Sequence, residues 1–239
     1  MSTCKPTIDG LDDSMDSSKS FFILVPPKKL IIRDDSGQEV REIAGPYKER
    51  STVSLSCEAQ KGIPAPNVTW WRDNKPWDST FQKYSTGVLN DMKLINLSRS
   101  DLFATFHCKA QNTKLTSPVV RTIVLDMYLY PLTSRITSRL STLAAGRRLD
   151  LACETQGSRP TAKISWWLDG SPSPTTSTPS TTTSPPLSCA CCPSPSTTGR
   201  PSLCRAQNPK LYDSALEDVR VLNVTFSELT IALFKVRFI

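Results

Sequence analysis

Several stretches of the chain alternate apolar and polar residues, which is the pattern of β-strands with one buried face. In residues 51–59, STVSLSCEA, the side chains of Val53, Leu55 and Cys57 fall on one face. Further strands are predicted in VPPKKLIIRD, NVTWW, MKLINL, ATFHCKAQN and VVRTIVLDM, and later in PLTSRITS, RRLDLACET and AKISWWLDG. The pattern therefore predicts two successive groups of strands.

The two groups repeat each other at an offset of 96 residues. Each copy has a cysteine, a tryptophan 13 residues later and a second cysteine 51 residues after the first: Cys57, Trp70 and Cys108, then Cys153, Trp166 and Cys204. This order of Cys, Trp and Cys marks an immunoglobulin sandwich, in which a disulfide joins two sheets beside a buried tryptophan. The sequence therefore predicts an all-β chain of tandem immunoglobulin-like β-sandwiches.

The repeat and the composition together predict how the chain is divided. We expect a disordered N-terminal segment (1–24), two immunoglobulin-like domains (25–127 and 128–225) and a short apolar tail of unclear role (226–239). The first domain has room for little more than one short strand between Trp71 and Met92, which predicts a constant-like or intermediate sandwich of about seven strands. The short segment Asp126–Leu132 would hold the two domains as a semi-rigid rod.

Cysteine is frequent enough to place the chain in an oxidising compartment. The predicted disulfides join Cys57 to Cys108 and Cys153 to Cys204, one in each domain. A zinc site is the rival interpretation, but zinc ligands come as close pairs and these cysteines stand alone. The other four cysteines, Cys4, Cys189, Cys191 and Cys192, do not fit the disulfide framework.

Each copy carries a double tryptophan, whose two rings point to opposite faces of the strand. Trp70 and Trp166 share a face with apolar neighbours and are the predicted core tryptophans. Trp71 and Trp167 point outward, so each is a candidate interface residue, because tryptophan is enriched where proteins bind one another. The alternative is that both rings pack under a neighbouring loop or long side chains, and their presence in both copies favours this alternative.

The second copy loses its pattern in residues 171–203, where Ser, Thr and Pro dominate. This stretch covers the positions of MKLINL in the first copy, and a proline-rich run cannot form a central strand. An O-glycosylated mucin-like stretch, a metal-binding CACC cluster and a compensated reading-frame error are the three interpretations. The 96-residue offset is kept beyond the stretch, which favours the frame error.

Surface chemistry adds three sequons and a net charge of +7. Asn67, Asn96 and Asn223 each begin an N-x-S/T triplet and are candidate glycosylation sites. The basic doublets at 28–29 and 147–148 make an acidic protein or an anionic glycan a candidate partner. No basic run of five residues exists, and nucleic acid is not an expected partner of a disulfide-bonded chain.

Catalytic chemistry has no support in the sequence. The single histidine, His107, lies between Phe106 and Cys108 in a predicted strand, where an outward structural role is expected. The Asp34–Asp35 pair lies in a polar segment without the ligand pattern of a calcium loop. We therefore predict no catalytic residues, no metal, no cofactor and no small-molecule substrate.

The stretch VPPKKLIIRDDSGQEVREIAGPYKERSTVSLSCEAQKGIPAPNVTWWRDN resembles the sidestep family of insect cell-surface immunoglobulin proteins, as does CRAQNPKLYDSALEDVRVLNV. The resemblance covers residues 26–224 apart from the Ser/Thr/Pro stretch. It implies the second and third immunoglobulin domains of a single-pass membrane protein. It also implies a role in axon guidance or neuronal wiring through binding an immunoglobulin-type receptor of the beaten-path kind.

The expected function is thus extracellular recognition or adhesion. No secretory signal or membrane span is visible in the sequence. We expect the chain to be a fragment, or an alternative or mispredicted gene product, of a longer secreted or membrane-anchored protein. A secreted soluble binder or decoy that lacks an anchor is the alternative function.

Overall fold

The computed structural model describes residues 23–138, 143–144, 149–173, 187–191 and 198–225. The expected disordered segment 1–24, apart from its last two residues, and the apolar tail 226–239 lie outside the described residues. Strands and one 3₁₀ turn at Arg99–Asp101 form the regular structure of the described part. The all-β prediction is confirmed.

The first module forms two five-stranded sheets. Its strands are β1 (Lys29–Asp34), β2 (Glu39–Val40), β3 (Ile43–Lys48), β4 (Val53–Gln60), β5 (Asn67–Arg72), β6 (Lys75–Asp78), β7 (Gln82–Lys83), β8 (Gly87–Leu94), β9 (Thr105–Gln111) and β10 (Val119–Tyr128). One sheet has the order β2-β1-β4-β8-β7, and the other has the order β3-β10-β9-β5-β6. Strand β3 runs parallel to β10, and the other pairs are antiparallel.

The alternation in the sequence explains which faces meet. Every second residue of β4 is buried, from Val53 to Ala59, and the intervening residues are half-buried. Strand β5 from the other sheet buries Val68 and Trp70 against it. Strands β9 and β10 add their own inward residues, so the core lies between the two sheets.

The region between Trp71 and Met92 holds more strand than expected. Two short strands, β6 and β7, precede β8, where the gap predicted little more than one. Strand β6 pairs only with the Trp70–Arg72 end of β5, and its Trp77 ring meets Phe106 edge-on at 6.2 Å. This aromatic contact with the buried Phe106 ring helps to hold β6 against the sheet.

The second module repeats the plan with nine strands in the described residues. They are β11 (Thr133–Ile136), β12 (Leu143–Ala144), β13 (Leu149–Gln156), β14 (Lys163–Leu168), β15 (Ser171–Ser173), β16 (Leu187–Cys191), β17 (Pro201–Gln207), β18 (Leu216–Val221) and β19 (Val224–Thr225). Their sheet orders are β11-β13-β16, β15-β14-β17-β18 and the parallel pair β12-β19. Its described core gathers Ile136, Leu151 and Trp166 around the second disulfide.

The Ser/Thr/Pro stretch contains a strand that the sequence pattern did not predict. Strand β16, LSCAC, pairs antiparallel with β13 from Leu149↔Cys191 to Cys153↔Leu187. In the first module β8 pairs with β4 in the same way, so β16 takes the position of the missing strand. Proline is absent from β16, which lies at the edge of its sheet in the described residues. Elsewhere in the stretch, Pro172 lies in the edge strand β15 and Pro201 is the first residue of β17, which are positions that tolerate proline. Residues 174–186 and 192–197 lie outside the described part.

Candidate functional site

The inner tryptophan of each pair lies beside a disulfide at the centre of its module. Trp70 is 0% exposed and Trp166 is 1% exposed. Cys57 is bonded to Cys108 with 6.5 Å between the Cα atoms, and Cys153 to Cys204 with 6.4 Å. Both predicted disulfides are therefore present, and each ties its two sheets together.

A polar side chain joins the sheets of the first module at a second point. Asn90 of β8 is fully buried, and its amide nitrogen donates to the carbonyl oxygen of Val68 on β5 at 3.0 Å. The indole nitrogen of Trp70 donates in the opposite direction, to the carbonyl oxygen of Asn90 at 3.2 Å. Sequence analysis missed Asn90; its signal is a polar residue on the inward side of an otherwise alternating strand.

The outer tryptophans lie on the sheet surface and are half-buried. The indole nitrogen of Trp71 donates to the hydroxyl of Thr69 at 2.9 Å, and that of Trp167 donates to the hydroxyl of Ser165 at 3.3 Å. The ammonium of Lys109 lies 3.8 Å from the centre of the Trp71 ring, as expected for a cation–π contact. In both modules the outer ring is thus held by a hydrogen bond from its indole nitrogen to the hydroxyl two residues earlier.

Around Trp71 the surface forms a groove of about 640 Å³. We call it the Trp71 groove. Strands β5 and β9 form its floor, and the loops before β5 and after β9 form its walls. Its lining includes Asn67, Thr69, Trp71, Lys109, Gln111 and Pro118. Prolines and one aromatic ring lie beside amides, hydroxyls and a cation, which suits a ligand that has both polar groups and apolar faces.

The equivalent surface of the second module differs in character. Trp167 lies in a groove of about 390 Å³ with Leu203, Arg205 and Val219. We call this surface the Trp167 face, and it also includes Val221, the next outward residue of β18. Val219 is 49% exposed and Val221 is 61% exposed, and β18 is the last strand of its sheet. The Trp167 face is therefore the more apolar of the two surfaces.

Each sequon asparagine is exposed. Asn67 is the first residue of β5 and is paired with Gln111 of β9, but β6 does not reach it on the other side. Asn96 lies in the turn after β8 with a φ of 54°, in the left-handed region that asparagine tolerates. Asn223 lies between β18 and β19. All three therefore have their side chains accessible to solvent.

A cluster of charged and polar groups joins the two modules. The carboxylate of Glu49 accepts from the guanidinium of Arg99 at 3.1 Å and from the backbone N–H of Tyr130 at 2.8 Å. The same guanidinium donates across the junction to the carbonyl oxygen of Gly157 at 2.6 Å, and also to that of Tyr130. The 3₁₀ turn that carries Arg99 is held by Asp101, whose carboxylate accepts from Ser98.

Asn208 of the second module completes this junction. It is fully buried, and its amide nitrogen donates to the carbonyl oxygens of Leu129 and Arg159, both at 2.8 Å. The guanidinium of Arg159 in turn donates to the carboxylate of Asp126 at 2.9 Å. The connecting segment is therefore fastened to the second module by side chains.

The same device occurs at the entry to the first module. The amide nitrogen of Asn112 donates to the carbonyl oxygens of Val25 at 2.7 Å and Pro64 at 2.9 Å. Asn112 and Asn208 are 96 residues apart, in the repeated CKAQNTKL and CRAQNPKL. Sequence analysis used these stretches only to establish the repeat. The shared QN was the signal for the junction asparagines.

His107 and Asp34 both make local structural contacts. The imidazole Nδ1 of His107 lies 2.9 Å from the hydroxyl of Thr122 on the outer face. Hydrogen bonds from the Ser36 side chain, together with backbone N–H groups, hold the pKa of Asp34 below its usual value and fix the β1–β2 turn. Within the described ranges, no group of three or more histidine, cysteine, aspartate or glutamate side chains could hold a metal ion.

Comparison with known proteins supports the fold. The sequence profile described as "Immunoglobulin domain" matches residues 40–112. Among solved structures, the full ectodomain of mouse nectin-like molecule 4, with three immunoglobulin domains, has a TM-score of 0.52 at 22% identity. The match covers 85% of this chain and 66% of that one. At this identity the likeness shows the fold alone.

Two curated relatives extend the comparison to sequence. Nephrin of Rattus norvegicus is 24% identical over 70% of this chain, and neural cell adhesion molecule L1.1 of Danio rerio is 36% identical over 50% of it. The matches cover only 13% and 10% of those relatives. No helix in the described residues is long and apolar enough to cross a membrane. The chain thus has the fold of tandem immunoglobulin-like β-sandwiches, and part of it is similar in sequence to cell-adhesion molecules.

Proposed function

We propose that the chain is the recognition part of an extracellular adhesion protein and acts by protein contact without catalysing a reaction. The observation that carries this proposal is the fastened junction: Glu49, Arg99 and Asn208 hold two disulfide-clamped modules as one unit. A fixed pair presents its faces to a partner at a constant angle, so less orientational freedom is lost on binding.

The Trp167 face is the proposed contact surface. Its exposed valines lie on the edge strand β18 beside a half-buried tryptophan, with the Arg205–Glu217 pair, 3.7 Å apart, at the rim. An apolar centre with a charged rim is the usual arrangement of a protein–protein interface. The half-buried Trp167 and the exposed Val219 and Val221 would be the anchors of such a contact.

Neuronal wiring is the proposed setting, with another immunoglobulin-type receptor as partner. The resemblance to the sidestep family supports a receptor of the beaten-path kind. The similarity to neural cell adhesion molecule L1.1 of Danio rerio agrees with this setting. The domain ranges 25–127 and 128–225 and a place at the cell surface belong to the same proposal.

A cell-binding assay tests the proposed function and its surface together. The full chain, directed to secretion by an added leader and multimerised, is applied to cells that express beaten-path-type receptors. We expect saturable binding that Val219→Glu abolishes, because a charge would be buried at the contact. Val120→Glu is the matched control, since Val120 is 45% exposed on the first module's corresponding sheet.

The result can contradict the proposal at two levels. Absence of binding to every receptor of this kind would overturn the partner. Binding that Val219→Glu leaves intact would overturn the Trp167 face as the contact surface. Circular dichroism of both variants shows whether the sandwich is intact, so that loss of fold is not read as loss of contact.

A further inference from the structure

The Trp71 groove contains the sequon at Asn67, and these two features define one site. Asn67 and Thr69, the first and third residues of the sequon, line the groove together with Trp71. All three alternate residues of β5 point to the outer face, because Val68 and Trp70 between them are buried. Trp71 follows Asn67 by four positions, so their Cα atoms are about 13 Å apart along the strand.

We propose that Asn67 carries an N-linked glycan whose first sugars lie along the Trp71 groove and cover the Trp71 ring. A sugar chain attached to Asn67 begins inside the groove, so no diffusional encounter is needed to fill it. Bound sugars use hydroxyls for hydrogen bonds and C–H faces against aromatic rings. The amide oxygen of Gln111 can accept from a sugar hydroxyl, since its amide nitrogen already donates to the carbonyl oxygen of Thr116 at 3.2 Å. The half-buried Trp71 ring offers the apolar contact on the side away from Lys109.

The second module supplies the contrast. Lys163 stands where the first module has Asn67, and Ser165 stands where it has Thr69, so no sequon precedes Trp167. The groove beside Trp167 is lined by Leu203 and Val219, and it does not extend to Lys163. The polar lining and the sequon thus occur in the same module, and the apolar lining occurs in the module without the sequon.

This assignment decides between two uses of one surface. A glycan on the Trp71 groove excludes protein contact through Trp71, so the outer ring serves as a platform for the chain's own sugar. The Trp167 face then remains open. The inference concerns a modification of the first module and does not depend on which receptor, if any, the chain binds.

Enzymatic deglycosylation of the folded protein tests the inference. The full chain is secreted from eukaryotic cells behind an added leader, and the occupancy of each sequon is measured by glycopeptide mass spectrometry. Endoglycosidase, which cuts between the first two sugars, is then applied without denaturant. We expect cleavage at Asn67 to be about tenfold slower than at Asn96, the ratio that one aromatic contact can supply.

Asn96 is the internal reference, because it is exposed in a turn and lies outside the residues that line the Trp71 groove. Trp71→Ala is expected to raise the cleavage rate at Asn67 to that at Asn96, while Trp167→Ala changes neither rate. The wild-type comparison requires no substitution, so it decides the matter even if Trp71→Ala is not secreted. An unoccupied Asn67, or an occupied one cleaved as fast as Asn96, overturns the inference.

Discussion

At the scale of the residue, the first module depends on a buried amide as well as on its disulfide. The amide nitrogen of Asn90 donates to the carbonyl oxygen of Val68 across the sandwich, and the buried amide oxygen of Asn90 has no hydrogen-bond partner among the described residues. Because the amide oxygen of Asn90 is buried without compensation, the net stabilisation from this side chain depends on the hydrogen bond of its amide nitrogen. A buried polar group of this kind fixes how the sheets face each other only while its bond is kept.

Replacing this amide should cost stability. We expect Asn90→Ala to lower the free energy of unfolding by about 1–3 kcal/mol, since it removes the bond to Val68 and leaves a small cavity. Asp91→Ala is the control, because Asp91 is the exposed neighbour on β8 and should change stability by less than about 0.5 kcal/mol. Urea denaturation with the disulfides intact measures both. Equal effects of the two substitutions would contradict the role given to Asn90.

Tyr47 should make the first module sensitive to alkaline pH. Burial, with a smaller contribution from the charges of Asp34 and Asp35, raises the pKa of Tyr47 from 10.0 to about 12. The folded form therefore keeps its proton at pH values where the unfolded chain has lost it. Stability is fully present below pH 10 and falls as the pH rises from 10 towards 12.

Substitution of the hydroxyl isolates this effect. Tyr47→Phe is expected to flatten the decline in stability between pH 10 and 12, because the variant has no proton to lose at this position. Below pH 10 it should be at least as stable as the wild type, since the buried hydroxyl of Tyr47 has no hydrogen-bond partner in the part of the chain that the structure describes. Thermal unfolding midpoints across the pH range provide the measurement. Parallel curves for the two proteins would show that Tyr47 does not titrate as proposed.

Sequence reasoning succeeded where the period of the pattern is strong. Alternation placed Val53, Leu55 and Trp70 on inward faces, and the 96-residue repeat carried the disulfide prediction into the second module. It failed at Asn90 and Asn208, whose partners are backbone carbonyl oxygens far away in the sequence. Side-chain chemistry alone makes such asparagines look like surface residues, because asparagine is usually exposed.

At the scale of the element, β16 is a strand that the composition of its surroundings does not predict. The five residues LSCAC stand among Ser, Thr and Pro, and so short an apolar run carries too little periodicity to predict a strand. The strand conformation of β16 is stabilised by backbone pairing with β13, which carries Cys153 of the second disulfide, and not by the strand propensity of its own residues. The strand is a tertiary effect, as edge pairing often is.

Hydrogen exchange should detect this strand. Within the described residues β16 has one neighbouring strand, while β8 of the first module lies between β4 and β7. We therefore expect amides in Leu187–Cys191 that face β13 to exchange more slowly than an unstructured peptide, and the strand as a whole to exchange faster than β8. Mass spectrometry of peptic fragments resolves both regions. Exchange at the unstructured rate throughout Leu187–Cys191 would remove β16 from the fold.

At the scale of the whole molecule, the fixed relation of the two modules is the property that matters for recognition. A short linker alone would leave them free to rotate about it. Here the carbonyl oxygen of Leu129 is bound by Asn208, the N–H of Tyr130 by Glu49, and the carbonyl oxygen of Gly157 by Arg99. Sequence length predicted a semi-rigid connection, but only the folded loops show which groups make it.

The repeated asparagine allows a matched test of this rigidity. Asn208→Ala removes two hydrogen bonds at the junction, and Asn112→Ala removes two of the same kind at the entry to the first module. Each should cost about 1–3 kcal/mol of stability, because each leaves carbonyl oxygens without a partner. Only Asn208→Ala should loosen the junction, because the bonds of Asn112 lie within the first module.

Nuclear magnetic relaxation of backbone nitrogens can separate stability from rigidity. In the wild type both modules should tumble with one correlation time, and in Asn208→Ala each should acquire a shorter time of its own. The contacts of Arg99 with Gly157 and of Arg159 with Asp126 persist in that variant, so the modules should loosen without separating. If Asn112→Ala uncouples the modules equally, rigidity does not arise from the junction asparagine. In that case Asn208 does not explain why the Trp167 face is held at a constant angle to the first module.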